Sequence, residues 1–409
     1  MSDDSTAPRS HASTRFDTAS LAAIDAHLAA YVGDGRLAGC HFVLAHGGEV
    51  VHDSRHGWSD RESGRPVRGD ELWRVYSMTK PVTSLAALNL CAAGTLSLDD
   101  PVSAHLPEFA APSVWVDAVS EPRPAQHPIT VRHLLTHTSG LTYGFLYRHP
   151  VDALYRGAGY EFSVPKGIDV AAACTQWAHF PLVHEPGRRW NYSVATDVLG
   201  RLIEVVTGES LDDHLRRTIL RPLGMNDTDF WVDDERAERL AAMYVPEAVT
   251  HRAVRSDAMS RSGRRRPLFM AGGGGLIISA ADYLRFARML AAGGEIEGVR
   301  VASRSTVHAM TTNQLPGGHD IAAIGEPVTP GDDLSGVGFG FGVAVVVDPT
   351  RTALPSVAGE FSWSGAATTT FWVDPVHDVI ALFFAQLLPS HTHPVRAELK
   401  RLVYSAIRR

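Results

Sequence analysis

The chain has 409 residues, 44% hydrophobic and 20% charged, a balance typical of globular proteins that excludes collagen, coiled coil and wholesale disorder. At about 150 residues per domain the length allows two to three domains or one large bilobal unit. The 38 basic and 45 acidic side chains give a net charge of −7, which disfavours nucleic acid as a partner, and no apolar run approaches the ~18 residues of a membrane span. Cys40, Cys91 and Cys174 are odd in number and far apart, with neither a disulfide framework nor a zinc signature among them. The first residues lack a basic region followed by an apolar one, so a cytoplasmic location is expected.

Residues 1–16 are polar and without apolar period, the pattern of a mobile tail. Leu21, Ile24, Leu28 and Tyr31 then recur at helical spacing up to Gly33. Cys40 to Ala45 and Glu49 to His52 flank His46-Gly47-Gly48 and read as a β-hairpin. From Ser77 a helix runs to Gly94, and helix and Pro-rich loop dominate to about residue 260. The clearest helix, Thr196 to Thr207, stops at Gly208. Gly272 to Gly275 leads into a strand, Leu276 to Ile278, and Ser279 caps a helix through Ala292. Strand-like alternation follows at Gly342 to Val347, Thr368 to Val373 and Val379 to Ala385, with a last helix from about Pro394 to Ile407. Strands at both ends and helices between predict an α+β architecture: an antiparallel sheet domain from 17–76 and 265–409 with flanking helices, and an inserted mainly helical lobe, 77–264.

Ser77-Met78-Thr79-Lys80 puts a hydroxyl and an ammonium one turn apart on a helix face. Pro81 is tolerable only in a first turn, so this serine stands at a helix terminus, where positive potential favours a developing anion. Desolvation of a lysine favours its neutral form, the form that accepts a proton. Tyr192 lies in the loop Trp190-Asn191-Tyr192-Ser193 ahead of the clearest helix. Trp363-Ser364-Gly365-Ala366 precedes a β-rich run, and a Gly there allows close backbone approach by a ligand.

In this order and at these separations the three elements resemble the serine β-lactamase and penicillin-binding-protein superfamily, specifically the class C β-lactamase-like branch that includes family VIII carboxylesterases. His133 to Leu141, Pro222 to Met225, and Gly272 to Leu276 leading into Ser279-Ala280-Ala281-Asp282-Tyr283 agree, and the resemblance spans roughly residues 20 to 405. It implies a β-lactamase-like fold, Ser77 as acylated nucleophile, Lys80 as its proton acceptor, and Tyr192 as relay to the leaving group and activator of the deacylating water. It further implies an oxyanion hole from the backbone N–H groups of Ser77 and Ala366. The chain departs from the family twice: Val194 stands in place of the Asn of Y-x-N, and Trp363 in place of the Lys of K-T-G. Losing that lysine removes a partner for a β-lactam carboxylate. W-x-G looks like the esterase branch, with Trp363, Ser364 and Gly365 beside the substrate and Tyr143 and Trp190 as further apolar wall. The expectation is therefore a carboxylesterase cleaving small or short-chain esters, without cofactor or metal. A class C-type β-lactamase, a D-amino-acid peptidase and a catalytically silent ligand-binding homologue stay open.

Other signals carry less. His133 and His137 form H-x-x-x-H, but Leu134 replaces a zincin's Glu and no third ligand stands out. Gly272 to Gly275 lacks the Lys and Ser/Thr of a phosphate cradle and reads as a close-packed turn near the cleft. The Arg264 to Arg266 run reads as a solvated loop, and the absence of G-x-S-x-G argues against an α/β-hydrolase.

Overall fold

The computed structural model describes residues 15–162, 164–329 and 331–408. Its centre is an eight-stranded antiparallel sheet assembled from both ends of the chain. The N-terminal strands are β1 (Gly39–His46), β2 (Glu49–Asp60) and β3 (Arg65–Pro66). The C-terminal ones are β4 (Val337–Phe339), β5 (Ala344–Val346), β6 (Phe361–Gly365), β7 (Thr369–Asp374) and β8 (Val379–Phe384). Their order, β4-β5-β6-β7-β8-β1-β2-β3, seats β8 beside β1, so the sheet closes only when the two ends of the chain meet. The β1–β2 turn has positive φ at both Gly47 (59°) and Gly48 (80°), the backbone a tight hairpin of right-handed twist requires.

Every residue of β8 is buried, because helices cover the sheet on both faces. Phe42 and Leu44 of β1 and Ala381 and Phe383 of β8 join the cluster under α1 (Thr18–Gly33) and the C-terminal helix Val395–Ala406. Val43, Ala45, Leu382 and Phe384 face the opposite, larger cluster. That strict alternation is the period-two signature of a sheet with two dry faces. Residues 1–14 of the expected tail lie outside the described residues. Its last residue, Phe16, is instead buried at 3% exposure and bridges Ile407, because an aromatic ring next to the sheet-covering helices finds apolar partners there.

On the larger cluster's side lie α2 (Lys80–Ala92) and α3 (Ala195–Thr207), packed together through Val82, Leu85, Leu199 and Leu202. Pro81 sits in the first turn of α2, and Gly208 ends α3 with a φ of 69°. Helix α4 (Ala280–Ala291) is capped by Ser279, whose hydroxyl accepts from the Asp282 N–H at 3.2 Å. The strand expected after the four glycines, here Ile277–Ser279, pairs with Leu72–Arg74, which the sequence pattern does not single out, and pins the segment before Ser77 to it. No described helix is long and apolar enough to cross a membrane.

Candidate active site

Ser77 lies in a 3-10 turn, Tyr76–Thr79, that runs directly into α2. Tyr76 takes a positive φ of 44°, so the chain bends sharply just before the serine. Three hydrogen bonds, from two neighbours, fix this turn. The Val75 N–H donates to the Leu276 carbonyl at 3.2 Å, the Leu276 N–H donates to Thr79 Oγ1 at 3.1 Å, and the Tyr283 hydroxyl donates to the Met78 carbonyl at 3.0 Å.

The three residues expected to act together do converge. The Tyr192 hydroxyl donates to Ser77 Oγ at 2.6 Å, and Lys80 Nζ approaches the same oxygen at 3.4 Å. Lys80 has no exposed surface. Its ammonium donates to the Gly273 carbonyl at 2.6 Å and to the Tyr143 hydroxyl at 3.1 Å, and it forms no ion pair among the described residues. Nζ also lies 4.7 Å from the Tyr192 ring centre and 5.4 Å from that of Tyr143, so two ring faces share the charge.

Behind the lysine stands a residue that sequence reasoning missed. Asp197, in the first turn of α3, is buried, and its Oδ1 accepts from the Gly273 N–H at 2.8 Å. One residue, Gly273, is thus held by a carboxylate on its N–H and grips Lys80 with its C=O. Burial raises the Asp197 carboxyl above the ordinary aspartate range, and the Lys80 charge pulls the other way. The glycine run now has a reason: a Cβ on Gly272 would stand 2.7 Å from the Thr196 carbonyl, and one on Gly273 2.7 Å from Asp197 Oδ2. The turn is close-packed, as its composition implied. The available signals were those glycines and an acidic residue five positions after Tyr192.

One of the expected wall residues needs correction, and the other has a polar contact besides. Trp190 is 2% exposed and packs behind Tyr192, its ring stacked at 6.2 Å and 21° with Phe339 also against it, because its loop folds under the site rather than over it. Tyr143 is no simple apolar wall: its hydroxyl is an acceptor for Lys80, and burial pushes its pKa well above the ordinary tyrosine value, which keeps it a neutral phenol.

Trp363 lies on β6, half-buried, with its ring 5.5 Å from Tyr192 and 5.2 Å from Phe339. Its Nε1 is buried without a partner among the described residues. Ser364 is its half-buried neighbour, paired across the sheet with Thr370. Gly365 touches the backbone ahead of Ser77: a Cβ there would meet the Val75 carbonyl oxygen at 2.2 Å. Only glycine lets β6 come this close, and the exposed Ala366 follows at once.

His137 is buried with a positive φ of 54° and lies 4.9 Å from the Tyr192 ring. Burial first, and the Lys80 charge second, hold it well below the ordinary histidine range, so it is neutral at working pH. His133 is elsewhere employed: its Nδ1 accepts from the Thr130 N–H at 3.2 Å in a capping box. The buried surroundings of Cys91 push its thiol up to about 11, away from nucleophilic use. Arg264 and Arg265 are exposed, while Arg266 reaches the buried Asp212 at 3.1 Å.

A turn-borne serine hydrogen-bonded to a tyrosine and a buried lysine, between a large antiparallel sheet and a helical layer, defines a β-lactamase-type protein. The Beta-lactamase family model matches residues 24–405, and the chain belongs to that family. Protein Rv1367c of Mycobacterium tuberculosis is 36% identical over 362 residues, 87% of each chain. Esterase EstB of Burkholderia gladioli is 34% identical over 378 residues, 88% of each chain. Among solved structures, EstCE1, described as a hydrolase with promiscuous acyltransferase activity, superposes with a TM-score of 0.79 at 26% identity, covering 94% of this chain and 99% of its own. Family, esterase relative and fold together make the chain a serine hydrolase of the β-lactamase fold.

Proposed function

We propose that the chain is a carboxylesterase that acts on small neutral esters through an acyl-enzyme on Ser77. The observation that carries this reading is Ser77 Oγ standing 2.6 Å from the Tyr192 hydroxyl and 3.4 Å from a fully buried Lys80 Nζ. In this reading Lys80 first releases its ammonium proton to solvent, Oγ then bonds to the ester carbonyl carbon as its own proton passes to the free amine, and the N–H groups of Ser77 and Ala366 receive the oxyanion. The C–O bond then breaks, and Tyr192 delivers a proton to the departing alcohol. Water enters by the reverse path, its proton drawn off through Tyr192, and frees Ser77 with release of the acid.

Trp363 separates ester from lactam. It puts a neutral ring where the lactamase pattern has a lysine, and a charged hydrogen bond to a ligand carboxylate is worth roughly 1.5 to 3 kcal/mol. The name of the esterase relative agrees with this choice. The decisive experiment labels the protein with a fluorophosphonate, maps the adduct by mass, and compares p-nitrophenyl butyrate with a chromogenic cephalosporin. The expected result is an adduct on Ser77, near-complete loss of ester hydrolysis in Ser77→Ala, and faster turnover of the ester. An adduct on another residue, or a preference for the cephalosporin, overturns the reading.

A further inference from the structure

Tyr192 reaches Ser77 from an irregular loop, so the aim of its hydroxyl depends on whatever holds that loop. Ahead of the tyrosine, the Trp190 N–H donates to the Ile324 carbonyl at 2.9 Å, and Asn191 Nδ2 donates to the Leu141 carbonyl, also at 2.9 Å. His137 grips the loop on both sides. Its carbonyl accepts from the Asn191 N–H at 2.9 Å, and its Nδ1 lies 3.2 Å from the Ser193 hydroxyl. Between the two grips the imidazole packs on Tyr192 itself, 4.9 Å from centre to centre.

His137 is held firmly in its turn. It is 1% exposed, and its ring meets Phe339 edge-on at 5.5 Å and Trp190 edge-on at 6.2 Å. Ser193 Oγ accepts from the Ala195 N–H at 3.3 Å, which leaves the hydroxyl's own proton for Nδ1 and assigns the ring proton to Nε2. Nε2 is buried with no partner among the described residues. A phenylalanine would fill the same space without that orphan, so what the imidazole alone adds is the bond to Ser193. The backbone at His137 is left-handed, a conformation disfavoured for a residue with a Cβ, and from it the carbonyl and the side chain reach the same loop.

Proton relay demands close placement: a shift of about 1 Å, caused by a group away from the chemistry, can cost about a hundredfold in rate. We propose that His137 is a positioning residue that aims the Tyr192 hydroxyl at Ser77 Oγ, holding the loop by Asn191 ahead of the tyrosine and by Ser193 behind it. It acts through Tyr192 and not on the ester. The proposal rests on the relay reading of Tyr192 and adds the residue that keeps the relay in register.

The test measures kcat and KM for p-nitrophenyl butyrate, together with urea midpoints, in His137→Leu, His137→Asn and Ser193→Ala, each made in wild type and in Tyr192→Phe. His137→Leu should lower kcat about a hundredfold with KM within about twofold. Asparagine tolerates the left-handed backbone and puts an amide near the place of Nδ1, so His137→Asn should recover about tenfold of that loss. Ser193→Ala, which leaves the His137 carbonyl in place, should lower kcat about tenfold. In the Tyr192→Phe background all three should change kcat less than about twofold, because the hydroxyl they aim is gone. Defects of full size in that background overturn the proposal, since a residue that merely supports the fold would produce them. Losses below about threefold in both His137→Leu and Ser193→Ala also overturn it. Should His137→Leu show no urea transition, Ser193→Ala decides alone by the same two criteria. Tyr192→Phe stays defective when only the positioning role fails; a Tyr192→Phe enzyme as active as wild type overturns the relay reading and the proposal with it.

Discussion

Lys80 and Lys400 are both withdrawn from water, the first with no exposed surface and the second with 15% of its side chain accessible, yet their surroundings differ in kind. Lys400, on the C-terminal helix, pairs directly with Glu360, which is 1% exposed, and Tyr404 donates to both Glu360 and Asp374. Among the described residues Lys80 meets only neutral oxygens, those of Gly273, Tyr143 and Ser77, and the acid Asp197 acts through Gly273. A proton leaving Lys400 would strand a buried carboxylate charge; a proton leaving Lys80 breaks no ion pair. The first arrangement suits a clamp between helix and sheet, the second a base beside a nucleophile.

The sharpest way to break this comparison is to remove each ammonium in turn. Lys80→Met should lower kcat/KM for p-nitrophenyl butyrate by a thousandfold or more, at least about 4 kcal/mol of transition-state stabilisation. Tyr192→Phe should do nearly as much, and the double variant should be little worse than either single one, because both serve one proton path. A double variant whose defect is the product of the two would dissolve the shared path.

Lys400→Met should do the reverse. It leaves Glu360 buried without its cation, which costs about 3 to 4 kcal/mol of stability. The shift will show as a lower urea midpoint, while kcat of the folded fraction stays within twofold of wild type. An intact midpoint would mean that Glu360 is simply protonated in the fold, a state its upward-shifted carboxyl favours through burial.

A third acid extends the comparison to a carboxyl whose neighbouring cation, Arg239, is already paired with Asp227. Asp282, buried near the start of α4, accepts from Thr228 Oγ1 and the Asp227 N–H at 2.8 Å each, and burial pushes it up to about 6. Between about pH 4 and 6 the folded state therefore holds a proton that the unfolded chain has released. Stability is fullest below about pH 4 and declines as pH rises through 6, by at most about 3 kcal/mol from this group. Asp282→Asn should flatten that part of the profile when urea midpoints are measured from pH 4 to 7. An unchanged slope would show that the carboxylate is ionised in the fold.

What could be read from the sequence was the part that is local. Ser77 and Lys80 share one helical turn, Pro81 betrays the terminus, and β8 falls within the strand expected at Val379 to Ala385. The partners of Lys80 could not be paired in advance, since Tyr143 and Gly273 lie 63 and 193 residues away and are joined to it only by folding. The same limit misplaced Trp190, an aromatic near the cleft in sequence terms whose loop, before α3, tucks beneath Tyr192. The extra burial of Phe16 likewise depends on Ile407 at the far end of the chain.

The smallest effect tests how far the charge of Asp197 is itself part of the contrast between the two lysines. Asparagine at this position keeps an oxygen for the Gly273 N–H and removes only the negative charge, whereas alanine removes the anchor as well. If the carboxylate acts as a positioning group with an electrostatic share, Asp197→Asn should lower kcat about tenfold with KM little changed, and Asp197→Ala should lower it further. The pH profile adds a readout that a structural role would not move. Burial raises the Asp197 carboxyl, so acidification removes its charge in wild type before that of an ordinary aspartate. Part of the acid-side loss of kcat should therefore vanish in Asp197→Asn, whose activity already corresponds to the protonated state. Equal kcat in wild type and Asn variant, with loss only in Ala, would leave anchorage of the Gly273 peptide as the whole contribution and make the lysine's neutral surroundings sufficient by themselves.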